Sequence, residues 1–233
     1  AWFSIIGISL GVAAIIIVMS VMNGFRIDLT NRIIGLNSHL NIYSFDNEIT
    51  NKQADELILN IDNSFFYQHY KSIETNGLII KSNNSKGVMI KGYDAYDKNH
   101  YLFNSINMGA LIQNPKSEIL IGDSLANEMN LSVGDKVKIA IPKTDKTILG
   151  NIPRFKTLEV VGVFDLGLYE YDSNLIFLSS ELVRKLLLYD EDIYNKIEFF
   201  TSSPNEIELF KNKVELETSN LLLNFYSISW KDQ

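Results

Sequence analysis

The hydrophobic pattern divides the chain at residue 25. Residues 1–25 carry no charged side chain, and no second apolar run of that length follows. A helix crosses a bilayer with roughly 20 apolar residues, so this segment is long enough. A secretory signal peptide would have a shorter apolar core and a small-residue cleavage site, and a buried core helix would usually carry polar residues along one face. The pattern therefore predicts a transmembrane helix over 1–25.

Small side chains recur along this predicted helix at three- and four-residue spacing, at Ser4, Gly7, Gly11 and Ala14. Such spacing lets a second helix approach closely in lipid, although glycine is also common in membrane helices without a partner. Helix packing and general compatibility with the bilayer both stay open from the residues alone.

The following segment, 26–38, keeps apolar residues at Leu29, Ile33 and Leu36, with charged residues between them. This spacing places the apolar residues on one face of a helix. We expect the membrane helix to continue into water as an amphipathic stalk that ends near residue 38.

Beyond the stalk, alternating and helical patterns predict a series of strands and helices. Strands are predicted over 39–45, 70–81, 86–93, 136–141, 154–164 and 174–178, and helices from Thr50 or Asn51, from Asp123, from the cap of SSELVRKLLL and from Ser203-Pro204. The region opens and closes with a strand–helix–strand unit. The pattern predicts an α+β fold in which 39–98 and 190–230 form one subdomain and 99–189 an inserted, β-rich one.

Composition limits the possible partners and chemistry. The chain has 28 Asp and Glu against 21 Lys and Arg, for a net charge of −7. An acidic surface repels phosphate, so nucleic acid is not an expected partner. The chain has no cysteine, so neither a disulfide framework nor a thiolate metal site is predicted.

No metal or nucleophile motif appears among the reactive side chains. His39, His69 and His100 lack the spacing of a zinc-binding helix and are expected to be structural or surface residues. Ser124 in GDSLA resembles a nucleophile elbow, but Ala126 stands where that turn requires glycine. We therefore predict no metal site and no serine nucleophile.

Two carboxylates, Glu170 and Asp172, lie close together in LGLYEYDSN. They fit either paired acid–base groups or, as we expect, a solvated turn, with Tyr169 and Tyr171 along a strand edge. No phosphate-cradling GxxxxGK[ST] loop is present. The residues predict neither an enzyme nor a cofactor.

The segments GISLGVAAIIIVMSVMNGF, IGDSLANEMNLSVGDKVKI and FKTLEVVGVFDLGLYEYDSNLIFLSSELVRKLL resemble the LolC/LolE family. The MNGF, VVGVF and YEYDS runs are the most specific part, and the resemblance covers nearly the whole chain. Members are permease subunits of the ABC transporter that releases lipoproteins from the inner membrane of Gram-negative bacteria. The resemblance implies a MacB-like periplasmic domain of two subdomains, Porter and Sabre, here 39–98 with 190–230 and 99–189.

The resemblance also implies partners. ATP hydrolysis would belong to a separate ABC ATPase subunit, and a second permease subunit would complete the transporter as a heterodimer or, in the LolF hybrid type, as a homodimer. In the LolC type a proline-bounded hairpin, the hook, recruits the soluble periplasmic carrier LolA. Residues 142–153 match that hairpin, with Leu149 as the hydrophobic tip and basic residues at the base. The implied carrier contacts are Pro142, Ile148, Leu149, Gly150, Ile152, Pro153, Lys138 and Lys156.

An apolar tip on a polar hairpin is favourable only if a partner covers it, which agrees with this role. The anchor helix would in turn serve helix packing or the lipoprotein acyl chains. Gly7, Gly11 and Ala14 would face a partner helix or those chains, and an apolar seam would consist of Val12, Ile16, Met19 and Met22.

The leading hypothesis is thus a non-enzymatic permease segment in the bacterial inner membrane, with its soluble domain in the periplasm, that extracts lipoproteins and passes them to a carrier. Two alternatives stay open: a signalling permease-like protein that transmits ATPase motion to a periplasmic hydrolase, and an efflux permease that docks onto an outer-membrane channel. An efflux subunit should lack the proline-bounded hairpin, and a signalling relative should lack the inserted subdomain.

Overall fold

A computed structural model describes residues 2–36, 38–61, 64–96, 100–147 and 150–232, with the backbone alone for 26–36, 142–147 and 150–153. The chain divides into two compact units, 1–37 and 38–233. The first unit is one helix, α1 (Trp2–Leu36). Its segment Trp2–Phe25 has a mean hydropathy of 2.7 and is the one helix of membrane-spanning length and composition among the described residues. The predicted N-terminal apolar helix and its continuation to residue 36 are confirmed.

The second unit mixes short helices with strands, as the α+β prediction requires. The helices are α2 (Asn51–Asn60), α3 (Asp123–Glu128), α4 (Tyr169–Asn174), α5 (Ser180–Leu187) and α6 (Ile207–Asn220). The strands are β1 (Leu40–Ser44), β2 (Ile49–Thr50), β3 (Gln68–Lys81), β4 (Asn84–Tyr93), β5 (Ile106–Gly109), β6 (Glu118–Gly122), β7 (Lys136–Thr147), β8 (Gly150–Phe164), β9 (Leu175–Ser179), β10 (Ile193–Tyr194), β11 (Lys196–Phe200) and β12 (Phe225–Ser229).

Local sequence signals account for several element boundaries. At the start of α2, the Thr50 hydroxyl accepts a hydrogen bond from the Gln53 backbone N–H, and the Gln53 side chain accepts one from the Thr50 N–H. This capping box satisfies two backbone donors that the first turn of a helix leaves unpaired. Ser179 caps α5 through a single bond, which its hydroxyl accepts from the Leu182 N–H, as the Ser-Ser-Glu pattern predicted.

Six strands close into a barrel. The strand order is β12, β1, β11, β3, β4, β9, β6, β8 and β5, and β7 pairs with both β3 and β8. Strands β3, β4, β9, β6, β8 and β7 therefore form a complete ring. Cross-strand partners such as Ile79 with Ile139 and Ile90 with Ile176 are all fully buried, so they fill the inside of the ring. Closure removes the free strand edges that an open sheet would expose.

Helices cover the two ends of this barrel. β6 and β9 are antiparallel neighbours, so α3, which follows β6, and α5, which follows β9, begin at opposite ends. Leu125 of α3 and Val183 of α5 belong to the same buried cluster as the strand residues. Gly92 of β4 makes room for α5, because a Cβ there would lie 2.8 Å from the Val183 side chain.

A second apolar cluster lies beside the barrel. Strands β12, β1 and β11 continue the sheet, and helices α2 and α6 pack on one face of it through residues such as Leu57, Phe210 and Val214. β3 belongs to both parts, because Gln68–Ser72 pairs with β11 and Leu78–Ile80 pairs with β7. The predicted subdomain boundaries stay a prediction; the ring itself combines β3 and β4 with strands from the predicted insertion.

One local prediction is wrong. The segment around Glu170 and Asp172 is the short helix α4, neither a strand edge nor a solvated turn. Asp172 is buried, and its carboxylate accepts a hydrogen bond of 2.8 Å from the Leu166 N–H. Gly122 lies against the Asp172 backbone so closely that a Cβ would meet its carbonyl oxygen at 2.1 Å. Asp172 therefore holds a backbone turn next to a tightly packed strand end.

Candidate functional site

The candidate site is the distal part of the β7–β8 hairpin, residues 142–153. Up to Ile141 and Arg154, β7 and β8 pair in regular antiparallel register. The register then shifts, so that Thr144 faces Pro153, and pairing continues to Thr147 and Gly150. Two residues of β7, 142 and 143, are thus inserted without partners in β8. A bulge of this kind bends the strand and increases its twist.

The prolines suit this geometry. Proline has no N–H for a strand ladder and is tolerated at bulges and strand edges. Pro142 lies within the bulge, and Pro153 pairs with Thr144 in the first pair beyond it. The two prolines therefore mark the point where the hairpin leaves the barrel. Ile148 and Leu149 lie outside the described residues, and for Gly150 and Ile152 the backbone alone is described.

The two predicted basic residues at the base lie on opposite faces of the hairpin. Lys156 is the cross-strand partner of Ile139, and Lys138 is the partner of Thr157. Cross-strand partners share a face, whereas successive residues alternate. Lys156 is therefore on the face of the buried Ile139, and Lys138 is on the outer face. Both lysine side chains are exposed.

Phe155 adds an apolar group to the outer face. Its ring is 51 % exposed, and the Lys138 Nζ lies 5.9 Å from its centroid. An ammonium group within about 6 Å of an aromatic face is attracted to it. Phe155 was not among the contacts predicted from the sequence. The available signal was an aromatic residue between two basic residues, Arg154 and Lys156, close to Pro153.

The hairpin strands differ in charge from the rest of the chain. Residues 136–164 contain six Lys and Arg against two Asp and Glu, in a chain whose net charge is −7. Neighbouring positive charges on an acidic protein create a local field that attracts acidic surfaces. The hairpin is therefore electrostatically suited to an acidic partner.

A buried ionic cluster joins the barrel to the adjoining sheet. Glu198 of β11 accepts hydrogen bonds from Lys91 at 3.3 Å and from the Tyr93 hydroxyl at 2.6 Å, and it lies 3.2 Å from Lys196. Lys196 in turn contacts Glu74 at 2.9 Å. Lys91, Lys196 and Glu198 are all buried. The four charges connect β11 to β3 and β4.

The cluster strongly favours its charged form. Burial opposes ionisation of Glu198, but Lys91 and Lys196 outweigh it and hold the pKa of this carboxyl at about 2. Burial also opposes the charge on Lys196, yet Glu198 and Glu74 raise its pKa above the usual range. Burial and the neighbouring Glu198 raise the pKa of Tyr93, so it stays a hydrogen-bond donor.

The histidines have structural environments. The buried His39 accepts a hydrogen bond of 2.8 Å from the Thr201 N–H, and His100 accepts one of 3.3 Å from the Leu102 N–H. Burial, with help from Lys71, lowers the pKa of His69. Among the residues that the structure describes, no three His, Asp or Glu side chains are grouped as a metal site would need.

The membrane-helix candidates lie on a single exposed helix. All side chains of Trp2–Phe25 are exposed, and nothing lies within 4 Å of a Cβ placed at Gly7 or Gly11. The assignments of Gly7, Gly11 and Ala14 to a packing face, and of Val12, Ile16, Met19 and Met22 to an apolar seam, therefore stay predictions.

Residues 1–215 match the MacB-like periplasmic core domain family. The chain is 28% identical over 195 residues to the lipoprotein-releasing system transmembrane protein LolC of Neisseria meningitidis, which covers 82% of this chain and 46% of that protein. LolC of Buchnera aphidicola (from Acyrthosiphon pisum) is 26% identical over 99% of this chain and 56% of its own length. The chain spans about half the length of the curated relatives it matches. These matches confirm the resemblance to the LolC/LolE family.

Two solved structures share the fold. The extracellular domain of the noncanonic ABC-type transporter YknZ from Gram-positive bacteria superposes with a TM-score of 0.54, at 13% identity, over 83% of this chain and all of that domain. The periplasmic region of MacB from Actinobacillus actinomycetemcomitans gives 0.53 at 15% identity, over 86% and 92%. At this identity the likeness concerns the fold alone, and it confirms a MacB-like domain.

Proposed function

Because this chain belongs to the MacB-like periplasmic core domain family, we propose that it is the first membrane helix and periplasmic domain of a LolC-type permease subunit. In this proposal the subunit works in an ABC transporter of the bacterial inner membrane that extracts lipoproteins. The domain lies in the periplasm and passes each lipoprotein to a soluble carrier of the LolA kind. A separate subunit hydrolyses ATP, and a second permease, either a copy of this chain or a relative, completes the transporter.

The observation that carries the proposal is the hairpin 142–153. It continues two barrel strands beyond a two-residue bulge and is bounded by Pro142 and Pro153. It also belongs to a strand pair, residues 136–164, that is rich in positive charge on an acidic chain. In this proposal its Leu149 and Ile152 enter an apolar cavity of the carrier, and Lys138 and Lys156 guide the approach. Charged groups at a rim act mainly on the encounter rate, and buried apolar anchors act on the lifetime of the complex.

The experiment is capture of the carrier from the same organism by the full chain in detergent. Leu149→Asp should abolish capture, because a carboxylate would enter an apolar pocket without a partner. The matched control is Asn212→Asp, which adds the same charge on the exposed face of α6, far along the chain from the hairpin. Equal capture by the wild type and Leu149→Asp would contradict the proposal, whereas loss with both variants would point to a general effect of charge.

A further inference from the structure

Arg154 lies where the hairpin 142–153 leaves the barrel. It directly follows Pro153 and faces Ile141 across the ladder, in the last regular pair before the bulge. Its guanidinium Nη1 donates a hydrogen bond of 3.0 Å to the backbone carbonyl of Lys185, in the last turn of α5. Carbonyls in the last turn of a helix lack intrahelical partners, and the negative end of the helix dipole favours a cation there.

Helix α5 is a fixed support for this bond. Its N-terminus is capped by Ser179, and Ser180 and Arg184 both hydrogen bond to Asp94 at the end of β4. The Arg184 guanidinium also lies 5.0 Å from the ring of Tyr194. The apolar side of the helix is buried in the barrel core through Leu182, Val183, Leu186 and Leu187. A contact to Lys185 is therefore a contact to the barrel itself.

The other strand of the hairpin, β7, constrains the direction of the hairpin less than β8 does. β7 passes through the unpaired residues 142 and 143, where its ladder to β8 is interrupted and the strand bends. We propose that Arg154 is a positioning residue that sets the direction of the hairpin by holding β8 to the C-terminus of α5. The bond does not depend on what the hairpin binds; its use in carrier binding rests on the proposed function.

The direction of the hairpin can be measured without any partner. The chain has no cysteine, so cysteines introduced by Thr147→Cys and Asn212→Cys can be spin-labelled selectively. Thr147 is near the end of the hairpin and Asn212 is on α6, in the same compact unit. Distance distributions from electron paramagnetic resonance are compared for this labelled chain and for the same chain with Arg154→Ala, Arg154→Lys or Lys136→Ala.

Arg154→Ala should shift or widen the distribution, and Arg154→Lys should largely restore it, because lysine keeps a charged donor for the carbonyl. Lys136→Ala is the control: it removes an exposed charge from the first residue of β7, at the opposite end of the regular pairing from Arg154. An unchanged thermal midpoint shows that the variants are folded. A distribution for Arg154→Ala equal to that of the wild type overturns the proposal, as does an equal change with Lys136→Ala.

A binding measurement then separates this inference from the proposed function. If the hairpin receives the carrier, Arg154→Ala should weaken binding by about threefold to tenfold, the range of one net hydrogen bond. If the wild type does not bind the carrier while the distance distribution still depends on Arg154, the proposed function fails and the positioning role stands. If binding weakens without any change in distance, Arg154 contacts the partner directly and the positioning role is wrong.

Discussion

The buried cluster around Glu198 allows a sharp test of how the barrel and the adjoining sheet are joined. Glu198→Gln keeps the side-chain shape and removes the charge, so Lys91 and Lys196 keep Glu74 as their one remaining carboxylate in the cluster. Removing one partner of a buried ion pair costs about 3–5 kcal/mol. The pKa gives a similar figure: a shift from 4.5 to about 2 corresponds to about 3 kcal/mol at neutral pH.

The pH dependence has a definite sign. The folded-state pKa of Glu198 is below its unfolded value, so its contribution is fully present above about pH 4.5 and is lost as the pH falls towards 2. The free energy of unfolding of wild type and Glu198→Gln should therefore differ by about 3 kcal/mol at pH 7 and converge on acidification. Urea unfolding of residues 38–233, which contain both apolar clusters, measures this difference.

The control is Glu48→Gln, which neutralises an exposed carboxylate and should change stability little. If Glu198→Gln lowers the free energy of unfolding at pH 7 by less than about 1 kcal/mol, the cluster contributes no more than an exposed ion pair does, and the prediction is wrong. A difference that stays constant down to pH 3 would show that the cost comes from packing and not from charge.

Two further substitutions test other parts of the molecule. Gly109→Ala should lower the free energy of unfolding in urea by about 2 kcal/mol or more. Gly109 has φ +80°, and a Cβ there would lie 2.1 Å from the Val161 carbonyl oxygen. The control is Gly87→Ala, because no atom lies within 4 Å of a Cβ placed at Gly87. If the chain works as proposed, Gly11→Leu should impair assembly of the reconstituted transporter or its release of lipoproteins, because small residues permit close helix approach in lipid. The stability of the soluble domain should not change. Full release activity would contradict the assignment of Gly11 to a packing face.

Local signals explain which elements were predictable. The β3–β4 hairpin, α2 with its Thr50 cap and α5 with its Ser179 cap depend on residues close together in the chain, and all were predicted. Closure of the barrel was not predicted, because it requires β3 to pair with β7, which lies about sixty residues later in the chain. No periodicity within either strand specifies a partner at that separation. The helix α4 was also missed, since six residues give too short a pattern to separate a turn from a helix.

The burial of the charged residues of β11 could not be predicted from the sequence either. In KIEFF, the alternation of Lys196 and Glu198 with apolar residues is typical of a strand with one solvated face. Both faces of β11 are buried in the structure. The second face is covered because Lys91, Tyr93 and Tyr101 arrive from elsewhere in the chain and form the cluster. Tertiary pairing thus turned a pattern that predicts exposed charges into a buried network.

The register of the hairpin determines which face each of its basic residues occupies. Proline positions and lysines at the base were visible in the sequence, but the faces of Lys138 and Lys156 follow from the pairing of Ile139 with Lys156. A slip of one residue would have moved a lysine to the other face. Because the two lysines lie on opposite faces, one flat partner surface cannot contact both, whereas a partner that encloses the hairpin in a cavity can.

If the hairpin receives a carrier, as proposed, association rates distinguish insertion of the hairpin from docking on one face. For an enclosed hairpin, Lys138→Ala and Lys156→Ala should each slow association, more so at low salt, and the double variant should show both effects together. Lys52→Ala, which removes an exposed charge on α2, is the control. An effect of only one lysine would contradict insertion, because the carrier would then contact a single face. No effect of either would show that the base of the hairpin takes no part in the encounter.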